Sequence, residues 1–394
     1  MKNLETLIQE LCPDGVEFVK LGDVCEIKTG KGITQKDCSE SSKYPVYSGG
    51  KEPMGYYKEF NRNANTVTVS RVGAYAGFVN YVTEDFYLND KCFSVLPQKD
   101  EDINSKYLYY KLKALECSII NMQSGGGVPT INTKKVGSLE IPLPPIEVQT
   151  EIVRILDKFT SLEAELEAEL DCRKRQYEYY RDKLLSFENV GGQEVEWKKM
   201  SEVGTFIRGK RFVRTDIVEE GVPCIHYGDI YTYYGLTATK AKTYLKPEKA
   251  EKMKFASKND VVIVGAGENN MDIGVGVAWL SDEEVAIHDA CYIFKSKMNP
   301  RFVSHYLRGS NYHLQIKKYV CEGKICSISS KSIGRSLIPV PSLQEQERIA
   351  TILDRFESLT TSLQTGLPAE IAARRQQYEH YRDELLTFKR KGAA

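Results

Sequence analysis

Runs of basic, amide and glycine residues interrupt the β-favouring segments of this sequence. They include TGKGITQKD from Thr29, YSGGKE from Tyr47, SRVG from Ser70, RGKRFVR from Arg208 and CEGKICS from Cys321. Lysine and arginine can neutralise phosphate groups, and arginine, asparagine and glutamine can form hydrogen bonds with base edges. Most such loops in proteins are ordinary solvated surface, so this chemistry is a hypothesis that needs a supporting architecture.

The candidate nucleic-acid contacts are the polar side chains of these loops. They are Lys31, Gln35, Lys36, Lys51 and Arg71 in the first half of the chain, and Lys210, Arg211, Arg214, Asn269, Asn270 and Lys324 in the second. For each residue taken singly, a solvated surface position is the alternative. The chain has 54 basic and 54 acidic residues, so any nucleic-acid surface must be a local patch.

The sequence offers no set of residues for catalysis. It has no Asp/Asn-Pro-Pro-Phe/Tyr run, with which an amino-methyltransferase would hold its target base, and no P-loop. VVIVGAGENN from Val261 imitates a dinucleotide-binding fingerprint, but Asn270 replaces the third glycine and GVGVAWL after Ile273 predicts a strand. The histidines, among them His226 and His288 in polar loops, show no metal spacing, and the ten cysteines form no CxxC pair. We expect no catalytic residue, cofactor or metal in this chain.

The long-range organisation is a duplication. IPLPPIEVQTEIVRILDKF from Ile141 returns as IPVPSLQEQERIATILDRF from Ile338, and YEYYRDKLLSF from Tyr177 returns as YEHYRDELLTF from Tyr378. Weaker echoes join the segments between, such as Gly-Lys at 30–31 and 209–210. The plan is therefore a globular unit, a long helix, a second globular unit and a second long helix.

The repeated segments predict helices that pair with each other. Apolar residues spaced by seven, including Ile152, Phe159 and Tyr180, form a stripe that requires a partner helix. An antiparallel pair built from the two copies would bury both stripes, and two unrelated core helices are the alternative. LEAELEAELD from Leu162 favours an unbroken helix, whereas Gly366-Leu367-Pro368 should end one helix and start another.

The intervening segments predict small mixed α/β domains. Runs such as TVTVS from Thr66, CFSVL from Cys92 and VVIVG from Val261 favour strands, and each segment has an amphipathic helix, near 104–120 and 300–317. The fold class is α+β, with two mixed domains separated by two long antiparallel, coiled-coil-like helices in a pseudo-twofold repeat. We expect a first domain with a short N-terminal helix, a central helix, a second domain and a distal helical region at residues 1–145, 146–190, 191–341 and 342–394.

The duplicated motifs resemble those of a known family. PLPPIEVQTEIVRILDKF, RKRQYEYYRDKLLSF and VPSLQEQERIATILDRF are similar to the central and distal repeats of type I restriction-modification specificity subunits, most of all the subgroup labelled IC. The resemblance covers the layout of the whole chain, with its specific motifs in the helices. It implies a pseudo-twofold ring in which each of two target recognition domains reads one half of a bipartite DNA site. It does not extend to the DNA contacts, because recognition domains in this family differ from one another.

The resemblance also implies partners. Two methyltransferase subunits would bind the helical spine, two motor-nuclease subunits would join them, and S-adenosylmethionine, ATP and Mg²⁺ would be bound by those partners. The candidate docking residues lie on helix faces expected to be exposed and are Arg173, Lys174, Arg181, Arg374, Arg375 and Arg382. These charges could equally form pairs that stabilise the helices.

Other features bear on location and on alternative functions. The N-terminal MKNLETLIQEL contains Glu5 and Glu10, which argues against a signal peptide, and no run approaches the roughly 18 apolar residues of a membrane span. A cytoplasmic location is expected. A helical scaffold that pairs two protein-binding domains would explain the duplication equally well, and a diverged nuclease or methylase is a further alternative.

Overall fold

A computed structural model describes residues 4–99, 101–124, 127–187, 195–268, 270–362 and 366–392. The chain folds as two compact units. The first unit comprises residues 1–165 and 372–394, and the second unit comprises residues 166–371. Among the described helices, none combines the length and apolar character needed to cross a membrane.

The first unit is built around two small sheets. Its short helices are α1 (Leu4–Leu11), α2 (Leu21–Val24), α3 (Ser105–Ala114), α4 (Glu116–Ile120) and α5 (Thr133–Gly137). Its strands are β1 (Glu17–Lys20), β2 (Cys25–Thr29), β3 (Tyr44–Tyr47), β4 (Tyr56–Tyr57), β5 (Thr66–Ser70), β6 (Val79–Val82), β7 (Tyr87–Leu88), β8 (Cys92–Pro97) and β9 (Glu140–Leu143). The larger sheet has the antiparallel order β2-β8-β5-β6, and the smaller sheet has the order β4-β3-β7 with β3 parallel to β7.

The core of the larger sheet follows from its sequence. Every residue of the TVTVS strand β5 is buried, as expected for β-branched residues in a central strand. Leu108 and Leu112 of α3 belong to the same apolar cluster as Val67 and Val69 of that strand. The predicted helix near 104–120 is therefore confirmed, divided at Leu115 into α3 and α4.

A single helix, α6 (Ile146–Ser186), contributes to both units, and the second unit continues from it. The remaining helices of the second unit are α7 (Met200–Val203), α8 (Tyr227–Thr232), α9 (Pro247–Ala250), α10 (Pro300–Tyr306), α11 (Ser310–Lys317), α12 (Ser330–Gly334) and α13 (Leu343–Thr361). Its strands are β10 (Trp197–Lys199), β11 (Gly204–Arg208), β12 (Ile217–Val218), β13 (Val222–Ile225), β14 (Thr237–Ala238), β15 (Thr243–Leu245), β16 (Phe255–Ala256), β17 (Val261–Val264), β18 (Ala266–Gly267), β19 (Gly276–Trp279), β20 (Val285–Ile287), β21 (Cys291–Ser296), β22 (Cys326–Ser327) and β23 (Leu337–Pro339). A last helix, α14 (Leu367–Leu385), lies mostly in the first unit.

The strand orders of the two units show that the fold itself is duplicated. The order β11-β21-β17-β19 in the second unit repeats β2-β8-β5-β6 in the first. The parallel pair β13–β20 repeats β3–β7, and the antiparallel pair β10–β23 repeats β1–β9. The second unit adds β14 to the larger sheet and β12 and β16 to the smaller one. The strand predicted after Ile273 is confirmed as β19.

Equivalent aromatic pairs show that the repeated helices run antiparallel. In the first unit, the rings of Phe159 on α6 and Tyr381 on α14 stack with centroids 5.4 Å apart. In the second unit, Tyr180 on α6 and Phe356 on α13 stack at 5.5 Å. Phe159 and Phe356 occupy the same position in the two repeats, as do Tyr180 and Tyr381. The predicted fold class is confirmed.

The distal copy is broken where its sequence predicts a break. Helix α13 ends at Thr361, and α14 begins at Leu367, directly after Gly366. The apolar stripe of α6 is buried to different extents along the helix. Ile152 is fully buried, but Leu162 in the middle of α6 is 37% exposed.

Matched carboxylates attach the globular part of each unit to its helices. Asp157 on α6 accepts hydrogen bonds from Lys106 Nζ at 2.8 Å and from Tyr110 Oη at 2.6 Å, both on α3. Asp354 on α13, its equivalent in the second repeat, accepts from His305 Nε2 on α10 at 2.8 Å. The same carboxylate therefore fixes the same helix in both units.

A matched glutamine adds a second anchor. Gln149 Oε1 accepts from the backbone N–H of Asn104 at 2.9 Å, and Gln346 Oε1 accepts from that of Asn299 at 2.8 Å. Both glutamines are buried, and both asparagines cap the helix that follows them. Since a buried amide without partners is costly, these bonds fix the register of each helix on its domain.

Candidate nucleic-acid interface

Each unit carries the same loop after the edge strand of its larger sheet. Residues 30–37 follow β2, residues 209–216 follow β11, and both loops end in a 3₁₀ turn, at Gln35–Asp37 and Arg214–Asp216. The carboxylate of Asp37 accepts from Thr34 N at 2.8 Å, and that of Asp216 accepts from Val213 N at 2.9 Å. These N–H contacts hold the pKa of both carboxyls below its usual value. The two turns are therefore closed by the same device.

Close backbone packing fixes the start of each loop. A Cβ atom added to Gly30 would lie 2.2 Å from Leu88 O, and one added to Gly209 would lie 2.3 Å from Ile287 O. No side chain fits there, which explains the duplicated glycine that the sequence shows.

The middle of each loop is held by a side chain that differs between the units. Asn89 Nδ2 donates to Ile33 O at 2.8 Å in the first unit. In the second, His288 Nε2 donates to Phe212 O at 3.2 Å, because His288 Nδ1 accepts from Ala290 N at 3.1 Å and the proton is therefore on Nε2. Two different residues thus support the same loop conformation in the two units.

A cleft of about 830 Å³ opens beside the first turn, and we call it the first turn cleft. It is lined by Gln35 and Asp37 of the turn, by the segment after β3, and by the approach to β8. Its charged lining consists of Asp37, Glu52, Asp90 and Lys91. Carboxylates therefore predominate, and they can accept hydrogen bonds from the amino groups of bases.

The second turn cleft, of about 480 Å³, lies beside the turn of the second unit. Arg214 lines it at the position equivalent to Gln35, together with His226, Asp229, Glu268 and Asp272. Burial raises the pKa of Asp272 above its usual value. The two clefts share a position in the fold, but their side chains offer different hydrogen-bonding patterns.

His226 presents a defined donor to the second turn cleft. Its Nδ1 accepts from Gly228 N at 3.2 Å, and its ring packs 4.4 Å from that of Tyr227 and 4.6 Å from that of His288. Burial holds the pKa of His226 below its usual value, so the ring is neutral near pH 7. With Nδ1 occupied as an acceptor, the proton is on Nε2.

The structure brings two of the predicted contacts, Gln35 and Arg214, into equivalent clefts. Others are exposed near the turns but outside the clefts; these are Lys31, Lys36, Lys210 and Arg211.

The remaining candidates lie elsewhere or are already engaged. Lys51 Nζ lies over the ring of Tyr75 at 5.4 Å, and Arg71 lines a separate cleft of the first unit. Asn270 Nδ2 donates to Glu322 at 2.7 Å, and Lys324 is exposed. Asn269 lies outside the described residues.

The acidic lining of the clefts was not predicted from the sequence, because the search favoured cations. The signal that could have revealed it is the repetition of Asp37 as Asp216 within otherwise different loops.

One partner-docking candidate needs correction. Arg181 was expected on an exposed helix face, but it is 8% exposed. Its guanidinium packs 5.5 Å from the Tyr177 ring centroid and donates to Asp182 at 3.0 Å. Since Arg181 follows Tyr177 by four residues, it shares the buried face of α6.

The other docking candidates stay predictions, and several of them form intramolecular pairs. Arg173 pairs with Glu169 one turn earlier on α6, and Arg375 pairs with Glu163. Arg374 donates to Gln377, Arg382 pairs with its neighbour Asp383, and Lys174 is exposed.

The described residues contain no cluster of His, Cys, Asp and Glu that could hold a metal ion, and the ten cysteines are free thiols.

Comparison with known proteins places these features in context. A family model described as the type I restriction modification DNA specificity domain matches the chain twice, at residues 13–171 and 193–373. The type I restriction enzyme EcoR124I/EcoR124II specificity subunit of Escherichia coli is 32% identical over 411 residues, covering 98% of this chain and 97% of that protein.

Two solved structures share the fold. The type I restriction-modification system S subunit from M. genitalium matches with a TM-score of 0.54 and 18% identity, covering 94% of this chain and 95% of the other. A chain from a structural study of complex assembly and conformational transition in the type I R-M system matches with a TM-score of 0.59 and 18% identity, covering 95% and 98%.

Proposed function

Since the chain belongs to the type I restriction-modification DNA specificity family, we propose that its two globular domains read the two halves of one bipartite DNA site. It is a DNA-recognition subunit and carries no catalytic role of its own. The family model covers both globular segments, which sets aside the scaffold of protein-binding domains and the diverged nuclease or methylase. We assign the reading domains to residues 1–145 and 191–341.

The observation that carries this proposal is one loop framework with two different linings. Gln35 and Arg214 occupy the same position in the 3₁₀ turn, and both line a cleft. A glutamine amide fits the donor and acceptor pair of adenine, whereas an arginine guanidinium fits the two acceptors of guanine. The same scaffold would therefore read different bases in the two half-sites.

We also propose that α6 sets the gap between the half-sites. The helix is continuous from Ile146 to Ser186 and contains the LEAELEAELD segment. Four helical residues lengthen a helix by about 6 Å and rotate its end by about 40° beyond one full turn. One base pair lengthens a duplex by about 3.4 Å and rotates its end by about 35°. Because the rotations nearly match, one tetrapeptide would correspond to one base pair of the gap.

The subunit would act in the cytoplasm within a larger complex. We propose that two methyltransferase subunits bind its helices and that two motor-nuclease subunits join them. Those partners would bind S-adenosylmethionine, ATP and Mg²⁺. Assignment to subgroup IC stays a prediction.

Genome-wide mapping of adenine methylation tests the proposal. The chain is expressed with its cognate methyltransferase subunit in a host that lacks other adenine methylases, and we expect a single bipartite motif. Gln35→Ala should relax a position in one half-site only, and Arg214→Ala should relax a position in the other, so each variant controls for the other. An active methyltransferase that leaves no bipartite motif would contradict the assignment.

A further inference from the structure

A second cleft in the first unit differs chemically from the first turn cleft. It has a volume of about 340 Å³, its basic lining residues are Arg71 and Lys135, and hydroxyl and amide side chains supply much of the rest. The described residues that line it include no Asp or Glu, whereas the first turn cleft contains Asp37, Glu52 and Asp90. We call it the basic cleft.

Among the described residues, the hydrogen-bond partners of the two cations of the basic cleft are backbone carbonyls at long distances. Arg71 Nη1 lies 3.5 Å from Asp90 O, and Lys135 Nζ lies 3.3 Å from Met122 O. Across the described residues, no carboxylate forms an ion pair with either side chain. Two like charges that share a cleft without a counter-charge favour the binding of an anion between them.

Backbone pairing holds the cleft in place. Arg71 N donates to Lys91 O at 2.7 Å, and Ile131 N donates to Arg71 O at 2.9 Å, so Arg71 is fixed on both sides. Asn132 Oδ1 accepts from Lys134 N at 2.8 Å and caps α5, which carries Lys135. The asparagine amide N–H₂ and the hydroxyl of Thr133 remain as further donors in the lining.

The second unit has uncharged residues at the positions equivalent to Arg71 and Lys135. Ile328 N donates to Gly265 O as Ile131 N does to Arg71 O, which makes Gly265 the counterpart of Arg71. In the repeated five-residue helices α5 and α12, the counterpart of Lys135 is Ser332. The second unit therefore lacks this pair of cations. It carries a single arginine there instead, because Arg208 stands at the position of the lining residue Thr29 and donates from Nε to Asp289 O at 2.9 Å.

We propose that the basic cleft binds one phosphodiester group of the DNA backbone, with Arg71 and Lys135 as its charged ligands. This proposal rests on the DNA-reading function proposed above. Arg71 lines the basic cleft and the next residue, Val72, lines the first turn cleft, so the two clefts are adjacent. A phosphate held in one would set the register of the bases read in the other.

The test is the salt dependence of DNA binding by the full chain in complex with its methyltransferase subunit. A labelled duplex that carries the methylated motif is titrated at several KCl concentrations. One neutralised phosphate contributes about 0.9 to the slope of log K against log salt concentration. Both ligands hold the same phosphate, so the Arg71→Ala/Lys135→Ala double variant should lower the magnitude of this slope by about 1 and not by 2. Its affinity for the duplex should fall about fivefold to tenfold near 0.15 M salt.

Matched variants separate this site from general charge effects. Lys134→Ala removes an exposed lysine of the same helix that does not line the cleft, and its slope should equal that of the wild type. Arg71→Lys with Lys135→Arg keeps both charges and should retain the slope. The methylated motif should stay unchanged in all variants, because a phosphate contact carries no base information.

Two results would overturn the proposal. One is an unchanged salt slope in a double variant whose circular dichroism matches the wild type. The other is a changed base in the motif, which would make Arg71 or Lys135 a base-reading residue. Both leave the proposed function intact, whereas a wild-type complex that shows no preference for the motif duplex would count against the function itself.

Discussion

The carboxylate of Asp354 joins three elements of the second unit, and its removal should destabilise that unit selectively. His305 is 0% exposed, donates from Nε2 to Asp354 Oδ1 at 2.8 Å, and accepts at Nδ1 from Tyr177 Oη, which lies 3.1 Å away. Arg301 pairs with the same carboxylate and also with Glu347. Helices α10 and α13 and the last part of α6 thus depend on one side chain.

The expected cost of Asp354→Ala follows from what each partner loses. The N–H of His305 would be buried without an acceptor, at about 1–3 kcal/mol. Arg301 keeps Glu347 and is partly exposed, so its loss is about 0.5–1 kcal/mol. The free energy of unfolding of the second unit should therefore fall by about 1.5–4 kcal/mol. With a urea m-value of about 2 kcal/mol/M, the urea concentration at the midpoint should fall by about 0.8–2 M.

Tryptophan fluorescence isolates the second unit. The chain has two tryptophans, Trp197 and Trp279, and both lie between residues 166 and 371. Fluorescence-detected urea unfolding therefore follows the second unit, while far-UV circular dichroism follows both. The matched control is Asp157→Ala in the first unit, which should shift the dichroism curve but not the fluorescence midpoint. Equal fluorescence shifts in the two variants, or none in Asp354→Ala, would refute this account of the packing.

Three further outcomes are expected. Burial holds the pKa of His305 below its usual 6.5, so the unfolded state takes up a proton at this residue before the folded state does. The contribution of His305 to the stability of the second unit is therefore complete above pH 6.5 and is lost as the pH falls below it. His305→Gln should lose less stability between pH 7 and 5 than the wild type in fluorescence-detected urea unfolding. Deletion of residues 163–166 should shorten the gap in the methylated motif by about one base pair, and an unaltered gap would end the ruler hypothesis. His226→Asp replaces a hydrogen-bond donor by an acceptor, and an acceptor fits the amino group of cytosine. The methylated motif should then favour cytosine at one position of one half-site, and an unchanged motif would argue against the donor role of His226.

The sequence was sufficient for the architecture because its signals are local or repeated. TVTVS at Thr66 forms β5 because β-branched residues fit a buried strand, and the break at Gly366 forms because glycine and proline do not continue a helix. The antiparallel pairing followed from the repeat, because both copies carry the same motifs at both ends. Phe159 and Phe356, for example, hold the same position in the two copies.

The site was less predictable because its chemistry depends on which loops meet. Asp37, Glu52 and Asp90 are distant in sequence and come together only when β2, β3 and β8 are assembled. The misplacement of Arg181 has a related cause. A second apolar row of α6 begins with Ile155 and Leu162 and then shifts by one residue to Leu170, Tyr177 and Leu184. Spacing alone therefore does not decide which face of the helix Arg181 shares.

The anchored loop of the first unit also matters for retargeting the protein. Gly30 and the Asp37 carboxylate fix the two ends of the loop, and Asn89 holds its middle by a backbone carbonyl. None of these contacts involves the side chains of Gln35 or Ser48, which both line the first turn cleft. A combinatorial library that varies those two positions and keeps the three anchors would sample new base preferences on an unchanged backbone.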